Sequence, residues 1–344
     1  MTKTEPDDDR ILSPHPGLSE SEVEQSLRPR DFNEFVGQPR ITQNLAIYIE
    51  AARQRGDALD HVLFTGLPGL GKTTLSTIIS REMETNLKFT AGPILERPAD
   101  LAGQLTNLRH GDCLFIDEIH RVPASVQEYL HTAMEDFSID IVYDSGPSAR
   151  SVRLKLERFT LIGATTREGL LKAPFRNRFP ILEKLEPYGL QDLTSIVNRS
   201  ARILEAPIAE SAAEMIASRS RGTPRIANRI IRRLRDVAQI QGDGLLDESI
   251  AQTGFEMLGI DDQGCDATDR RILEALLQHE GGPLGLKTVA VMVGESPDTI
   301  EEVHEPYLIQ CGFLKRTPQG RMATDRARRH LGHPSNPQTG LFQP

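Results

Sequence analysis

The sequence has only three cysteines and no long apolar run. Cys113, Cys265 and Cys311 match none of the short spacings of zinc sites or disulfide frameworks, so we expect neither. No stretch approaches the roughly 18 consecutive apolar residues that a membrane span needs, and the first residues lack the charged and then apolar pattern of a signal peptide. We therefore expect a cytoplasmic protein that has no contact with a membrane.

The N-terminal end of the chain has few basic residues, and the C-terminal end has few acidic ones. The net charge of -9 does not show this difference between the two ends. Residues 1–26 hold seven acidic and two basic residues, and we expect a flexible, solvated tail there. Residues 313–334 hold six basic residues and one acidic residue. Because net charge averages over such regions, the acidic total does not exclude nucleic acid as a partner of the basic end.

Short apolar runs alternate with helical patterns in the first half of the chain. Runs that each end at a polar cluster predict buried parallel strands at 61–65, 112–116 and 159–163. Amphipathic spacing predicts helices at 74–85, 122–136 and 190–204. This alternation is the pattern of a layered α/β sheet.

The second half of the chain is predicted to be helical until a hairpin near its end. Helical patterns near 267–279, 286–293 and 297–309 come before a hairpin that turns at 317–320, which is the order of a winged helix. We expect a flexible tail (1–26), a large α/β domain (27–186), a small all-helical domain (187–255), a winged-helix domain (256–333) and a disordered tail (334–344).

A phosphate-binding loop carries the clearest chemical signal. Residues 66–73 have the pattern G-x-x-x-x-G-K-T between a predicted strand and a predicted helix, where glycines let successive N–H groups face a phosphate. Lys72 would neutralise the outer phosphates of ATP, and Thr73 would place its hydroxyl on Mg²⁺. Without a ligand, the same residues would be only a glycine-rich turn.

Two adjacent carboxylates end the second predicted strand. Asp117 would hold Mg²⁺ through its water shell, and Glu118 would act as general base on the attacking water. Taken alone, the pair is more readily interpreted as two solvated acids at the end of a strand. A third strand end offers the hydroxyl of Thr166 to the γ-phosphate, while Arg178 and Arg225 are by sequence alone interpretable as surface arginines.

Several segments together resemble one family. They run in order from about Leu27 to Gly332, over all three predicted domains, and are 66–74, 115–120, 134–137, 163–167, 220–228 and 305–310. This set resembles RuvB, the bacterial AAA+ motor of Holliday-junction branch migration. The resemblance implies an AAA+ P-loop ATPase core, a small all-helical lid and a C-terminal winged helix.

The resemblance also implies an activity and partners. A protein of this family is an ATP-dependent translocase of double-stranded DNA in homologous recombination, DNA repair and the SOS response. It forms a homohexameric ring, uses ATP and Mg²⁺, and works with RuvA, with RuvC as a further partner in a resolvasome. A different hypothesis is an ATP-gated DNA-binding switch or loader that does not pump directionally.

Roles of single residues follow from the resemblance as well. It makes Arg178 an arginine finger that enters the site of a neighbouring subunit, and Arg225 a second sensor of the nucleotide. The implied catalytic residues are Lys72, Glu118 and Arg178. The implied ATP-binding residues are Leu27, Arg28, Gly69, Gly71, Lys72, Thr73, Thr74, Glu135, Asp136, Phe137, Thr166, Arg178, Tyr188 and Arg225. The implied magnesium ligands are Thr73 and Asp117, and the implied DNA contacts are Arg316 and Arg321.

Some of these positions keep a plainer interpretation. Arg28 is also interpretable as a solvated residue, and Tyr188 as a capping aromatic at a domain joint. Residues 139–154 alternate apolar and polar side chains around a Gly-Pro turn and predict a hairpin, which binds RuvA in this family but could equally be structural. Asn177 and Pro180 stand where the family pattern has an acid and a glycine, which puts the surroundings of the finger in doubt.

Overall fold

The computed structural model describes residues 21–142, 151–279 and 282–334. Within these ranges the chain forms two compact units. The sheet unit contains Glu22–Ile196 and Thr223–Arg225, and the helical unit contains Val197–Gly222 and the described residues from Ile226 onward. No helix in these ranges combines the length and apolarity needed to cross a membrane.

The two predicted tails fall mostly outside the described residues, which leave out 1–20 and 335–344. At its inner end the predicted acidic tail is too long, because helix α1 (Ser21–Leu27) begins within it. Glu24 of α1 lies 3.5 Å from Arg28, one helical turn along the chain. Charge density alone therefore misses helix α1.

The sheet unit contains seven strands, numbered along the chain. They are β1 (Val62–Thr65), β2 (Leu87–Ala91), β3 (Cys113–Asp117), β4 (Ser138–Val142), β5 (Ser151–Lys155), β6 (Thr160–Thr165) and β7 (Ile181–Lys184). Five of them form one parallel sheet in the order β2-β3-β6-β1-β7. The three predicted strands are confirmed as β1, β3 and β6. The sequence does not predict β2 and β7, because they are only partly buried and lack a continuous apolar run.

Helices alternate with these strands, as the sequence predicts for an α/β layer. Besides α1 they are α2 (Pro39–Arg55), α3 (Lys72–Glu82), α4 (Pro98–Leu105), α5 (Ala124–Asp136), α6 (Ala173–Arg176) and α7 (Leu190–Ile203). Leu63, Ile116 and Leu161 of the central strands share one buried cluster with Leu101 of α4 and Leu130 of α5. This packing explains why the central strands carry apolar residues on both faces.

The parallel sheet has two distinct edges. At its carboxyl edge Thr65 of β1 pairs with Thr165 of β6, and Asp117 ends β3. At its amino edge lie the residues that precede the strands, such as His61 before β1 and Phe159 before β6. Polar residues that follow β1, β3 and β6 must therefore meet at the carboxyl edge, where ligands bind in open α/β sheets.

The predicted hairpin at 139–154 is confirmed in its paired part. Strands β4 and β5 are antiparallel, with Asp140 opposite Arg153. The Arg153 guanidinium donates to the Asp140 carboxylate with Nε–Oδ1 at 3.1 Å. The turn of this hairpin, 143–150, lies outside the described residues.

The helical unit carries the remaining predicted elements. Its first helices are α8 (Glu210–Ser218), α9 (Pro224–Gln241) and α10 (Glu248–Leu258), of which α9 starts in the sheet unit. The elements that follow are α11 (Ala267–Gln278), α12 (Leu286–Val293), α13 (Pro297–Thr299), a π-helical turn (Ile300–His304), α14 (Glu305–Gln310), β8 (Leu314–Thr317), β9 (Gly320–Ala323) and α15 (Asp325–His330). This order is that of a winged helix, with β8 and β9 as the wing.

The third helix of the winged helix departs from its predicted regular form. The sequence predicts one helix over 297–309, whereas the structure divides it around a π-helical turn. Pro306 has no N–H and cannot donate a regular helical bond, which accounts for an irregular turn just before it.

At the wing, Gly320 has a φ of 148°, and a Cβ there would lie 2.3 Å from the carbonyl oxygen of Leu284. The predicted turn therefore needs this glycine for space as well as conformation.

A buried ion network ties the two halves of the helical unit together. Arg221 precedes α9, and its Nη2 lies 2.5 Å from Oδ2 of Asp269 on α11. The other carboxylate oxygen of Asp269 lies 2.7 Å from His304 Nδ1. Burial disfavours the charge of Asp269, but Arg221 and His304 outweigh it and lower the pKa of that carboxyl. This network explains why the small helical region and the winged helix form one unit.

Candidate active site and nucleic-acid interface

The phosphate loop connects β1 to α3 at the carboxyl edge of the sheet. Gly66, Gly69 and Gly71 have φ angles of 140°, 82° and 104°, which residues with a Cβ rarely adopt. A Cβ on Gly66 would lie 2.6 Å from the carbonyl oxygen of Leu185. The glycines therefore allow both the curl of the loop and its close packing on the chain after β7.

Lys72, the first residue of α3, turns back onto this loop. Its Nζ donates to the carbonyl oxygens of Gly66 and Leu67, at 2.8 and 2.9 Å. Burial lowers the pKa of Lys72 to about 8, against the opposing effect of Glu118 and Asp117. A buried ammonium with neutral carbonyl partners fits an anionic phosphate, which would stabilise its charge.

The two predicted carboxylates follow each other at the end of β3, and their pKa values are shifted in opposite directions. Burial and the neighbouring charge of Glu118 raise the pKa of Asp117. For Glu118, burial acts in the same direction, but the hydrogen bond from His120, the charge of Lys72 and the Thr166 N–H outweigh it and lower the pKa. Glu118 is therefore ionised near neutral pH, as a general base must be.

Glu118 is held by neighbours from two strand ends. Its Oε2 accepts from the Thr166 hydroxyl at 3.1 Å and lies 3.1 Å from Nδ1 of His120. Nδ1 of His120 is also 2.9 Å from the hydroxyl of Thr165. The structure thus brings together Glu118 and Thr166, as predicted. His120 was not among the predicted residues, although it stands two positions after Glu118.

Glu118 itself has an unusual backbone conformation. Its φ of 46° and ψ of 49° lie in the left-handed region, which is uncommon for residues other than glycine. Such strained positions occur often at functional sites, where surrounding contacts fix them. Here Glu118 is fixed between the end of β3 and the short 3₁₀ turn Ile119–Arg121.

Aromatic side chains close the loop on its other side. The Tyr188 hydroxyl donates to the carbonyl oxygen of Leu70 at 3.1 Å, and Tyr188 is buried. Phe35 would lie 3.2 Å from a Cβ on Gly71, and the Tyr188 ring would lie 2.6 Å from a Cβ on Gly37. Tyr188, which the resemblance implies binds ATP, therefore adjoins the phosphate loop. Phe35 was not predicted, because a lone phenylalanine before Val-Gly gives no signal in the sequence.

Arg225 and Arg28 approach the same region. The Cβ of Arg225 would lie only 2.9 Å from a Cβ on Gly69. Nε of Arg225 and Nη2 of Arg28 lie 3.6 and 3.5 Å from the same Glu24 oxygen. Leu27, next in sequence to Arg28, is buried. The structure therefore brings the predicted sensor Arg225 against the phosphate loop.

Thr73 and Thr74 follow Lys72 in the first turn of α3, whereas residues 135–137 and Arg178 lie elsewhere. Phe137 packs on His61 and Phe159, with ring centroids 6.2 and 5.8 Å apart, and therefore lies at the amino edge of the sheet. Arg178 precedes β7 at the same edge, and its Nη2 is 2.7 Å from Oε2 of Glu135. The prediction that residues 135–137 line the site of Tyr188 is therefore corrected for a single chain. Within one chain these residues and the phosphate loop lie at opposite edges of the sheet.

The two predicted DNA contacts are not free cations at the tip of the wing. Arg316 and Arg321 lie opposite each other on β8 and β9, and both pair with Glu301 and Glu305. Arg321 makes two parallel bonds to Glu305, at 3.1 and 3.2 Å. The Arg316 side chain is 51% exposed, whereas that of Arg321 is 14% exposed. The geometry therefore favours Arg316 as a surface contact and gives Arg321 a structural part.

Family comparison covers nearly the whole described chain. A family model described as "Holliday junction DNA helicase RuvB P-loop domain" matches residues 27–185. One described as "RuvB AAA lid domain" matches residues 188–261. A third, "RuvB C-terminal winged helix domain", matches residues 262–332.

Individual relatives agree with these matches. The chain is 54% identical over 323 residues to the Holliday junction branch migration complex subunit RuvB of Myxococcus xanthus, covering 93% of this chain and 94% of the relative. The RuvB subunit of Flavobacterium johnsoniae is 54% identical over 325 residues, with 94% and 96% covered. Among solved structures, the Thermotoga maritima RuvB Holliday junction branch migration motor is 45% identical, with a TM-score of 0.83 over 91% of this chain and 100% of that one.

Proposed function

The chain belongs to the RuvB family, and from that premise we propose that it is an ATP-hydrolysing motor that translocates double-stranded DNA in Holliday-junction branch migration. One observation carries the hydrolytic part of the proposal. Glu118 is an ionised carboxylate at the carboxyl edge of the sheet, held by Thr166 and His120. It stands at the end of β3, while the phosphate loop follows the end of β1 at the same edge. We propose the predicted domain boundaries with this function, except that α1 (Ser21–Leu27) begins within the predicted N-terminal tail.

The residues at the carboxyl edge fit ATP and Mg²⁺. Lys72 would hold the β- and γ-phosphates, and Thr73 and Asp117 would hold the metal, which would neutralise charge on the phosphates. The raised pKa of Asp117 supports this assignment, since a bound metal ion would stabilise the charge that burial and Glu118 disfavour. Glu118 would take a proton from the attacking water, while Thr166 would orient Glu118 through its hydroxyl.

Completion of the site by a second chain is part of the proposal. Arg178 and residues 135–137 lie at the amino edge of the sheet, away from their own phosphate loop. We propose that they serve the nucleotide of the next subunit in a ring, a homohexamer in this family. Leu27, Tyr188 and Arg225 would hold the nucleotide from within the same chain.

We propose that the wing holds duplex DNA through its phosphates. Arg316 is the better candidate because its guanidinium is half-exposed, while Arg321 shares its charge with the buried Glu305. Contacts to phosphates position a protein on DNA without reading its sequence. A motor that translocates along DNA needs binding that does not depend on sequence. Glu301 and Glu305 lie beside the wing, and their negative charge argues against the helical segment before the wing entering a DNA groove.

Replacing Arg316 by alanine is expected to weaken binding to every duplex sequence alike. Loss of one phosphate contact lowers the slope of log affinity against log salt by about 0.9. Fluorescence anisotropy on two unrelated duplexes over a salt series measures this slope. Arg329→Ala is the matched control, because Arg329 is an exposed arginine on α15. An unchanged slope for Arg316→Ala, or equal loss in both variants, would contradict a specific contact by the wing.

Partners and cellular context follow the family. We propose that RuvA binds the hairpin at 139–154, that RuvC joins in a resolvasome, and that the protein acts in the cytoplasm in recombination, repair and the SOS response. The paired stem of the hairpin supports the first assignment, since it projects an antiparallel ribbon that is not part of the five-stranded sheet.

Strand exchange on a synthetic four-way junction tests the proposed function. We expect exchange only when ATP and RuvA are both present, and none when nonhydrolysable ATP replaces ATP. Exchange without ATP, or no exchange with RuvA and ATP, would contradict the proposal. ATP-dependent DNA binding without exchange would instead support a switch or loader.

A further inference from the structure

Arg178 is held by two side chains of the same helix. Its Nε donates to Nε2 of His131 at 2.5 Å, and its Nη2 lies 2.7 Å from Oε2 of Glu135. His131 and Glu135 are four residues apart on α5 and therefore lie on one helical face. We propose that His131 is a positioning residue for Arg178, which fixes the guanidinium for use in a neighbouring site. This inference rests on the proposed role of Arg178.

The backbone at Arg178 is already anchored. Its N–H donates to the carbonyl oxygen of Phe175 at 3.1 Å. Phe175 and Phe179 are both buried and pack edge to face, with ring centroids 5.6 Å apart. A fixed backbone does not by itself fix the long arginine side chain. The rotamers of Arg178 must also be restricted before its guanidinium can act at a defined position. The neighbouring Asn177 and Pro180, which depart from the family pattern, leave this anchoring intact.

His131 and Glu135 contribute differently to that restriction. Glu135 carries an opposite charge but its side chain is 52% exposed, and exposed ion pairs are weak and readily exchanged. A phosphate can therefore replace the carboxylate at Nη2. His131 instead offers its ring nitrogen Nε2 as acceptor to Nε of Arg178, which is the inner nitrogen of the guanidinium. Its bond sets the plane of the group without competing for the outer N–H groups.

The bond also decides which substitutions test it. Arg178 Nε–H is the donor, and Nε2 of His131 is the acceptor. A glutamine at position 131 can offer its amide oxygen as acceptor in place of Nε2. An alanine there offers no acceptor. These two substitutions therefore separate the hydrogen bond from the mere presence of a side chain.

Steady-state ATP hydrolysis by the full-length protein with duplex DNA tests the inference. We expect His131→Ala to lower kcat by about ten- to a hundredfold, because a misplaced group loses that much, with the KM for ATP within about twofold. His131→Gln should recover most of the rate. Thr132→Ala is the matched control on α5, since its hydroxyl bonds only within the helix, to the carbonyl oxygen of Glu128. Thermal unfolding midpoints of all variants show whether the fold is kept.

Mixed subunits show whether the loss arises at the neighbouring site. His131→Ala subunits keep Glu118, so partners that carry Glu118→Gln with an intact His131 and Arg178 should restore turnover. Partners that carry both Glu118→Gln and His131→Ala should not. An unchanged kcat in His131→Ala, or rescue by both partners alike, overturns the positioning role. Normal turnover by Arg178→Ala overturns the proposed finger itself and this inference with it, whereas an inactive Arg178→Ala beside a normal His131→Ala overturns the inference alone.

Discussion

Glu118→Gln is expected to bind ATP with near-normal affinity and to hydrolyse it about 10²–10⁴ times more slowly, which is the usual contribution of a general base. Glutamine keeps the size of the side chain and an oxygen that can accept from Thr166, but it cannot take a proton from water. Lys72 and the phosphate loop, which are proposed to hold the nucleotide, are unchanged. The loss should therefore fall on kcat, with little change in the KM for ATP.

The measurement for Glu118→Gln combines phosphate release with binding of a fluorescent ATP analogue. Glu214→Gln makes the same charge change on the exposed face of α8 and should behave like the wild type in both assays. Normal turnover by Glu118→Gln would show that another group activates the water. Loss of nucleotide binding in the same variant would instead make Glu118 a part of the binding site.

The sequence predicts the carboxyl edge of the sheet well, for a physical reason. A buried parallel strand must be apolar on both faces, so β1, β3 and β6 stand out as apolar runs. Polar residues that follow such runs have to meet at one edge. Lys72, Glu118 and Thr166 could thus be assigned to one site before any coordinates were known.

The amino edge could not be predicted in the same way. Residues 134–137 form a recognisable segment, but its sequence does not say which edge of the sheet it occupies. That depends on the path of α5 back across the sheet and on Phe137 packing against His61 and Phe159. The contact of His131 with Arg178 joins residues 47 positions apart, which no local pattern predicts.

The wing shows a similar limit. Its hairpin and its turn glycine follow from the local sequence. The ion pairs of Arg321 with Glu305 depend on how the hairpin packs on the helix before it. A count of basic residues therefore overstates the charge that the wing presents to DNA, because part of that charge is already balanced within the protein.

Arg178→Ala is expected to bind ATP but to lose about 10³–10⁵ in turnover, the usual contribution of an arginine finger. Arg178 lies at the amino edge of the sheet and the phosphate loop at the carboxyl edge, so the loss should arise at the site of the adjacent chain. Mixing Arg178→Ala subunits with Glu118→Gln subunits should then restore part of the activity. Each inactive partner supplies what the other lacks, Arg178 from one and Glu118 from the other.

The mixing ratio makes this test quantitative. Turnover should be lowest for either variant alone and highest near equal amounts. Only an interface between unlike subunits holds both Arg178 and Glu118. Arg153→Ala is a matched control, since its guanidinium pairs with Asp140 on the hairpin and not with the two side chains that hold Arg178. Normal turnover by Arg178→Ala alone would show that hydrolysis does not need this arginine. Loss of turnover that no mixture restores would instead place Arg178 in the site of its own chain. The separation of Arg178 from its own phosphate loop would then have to close by movement within that chain.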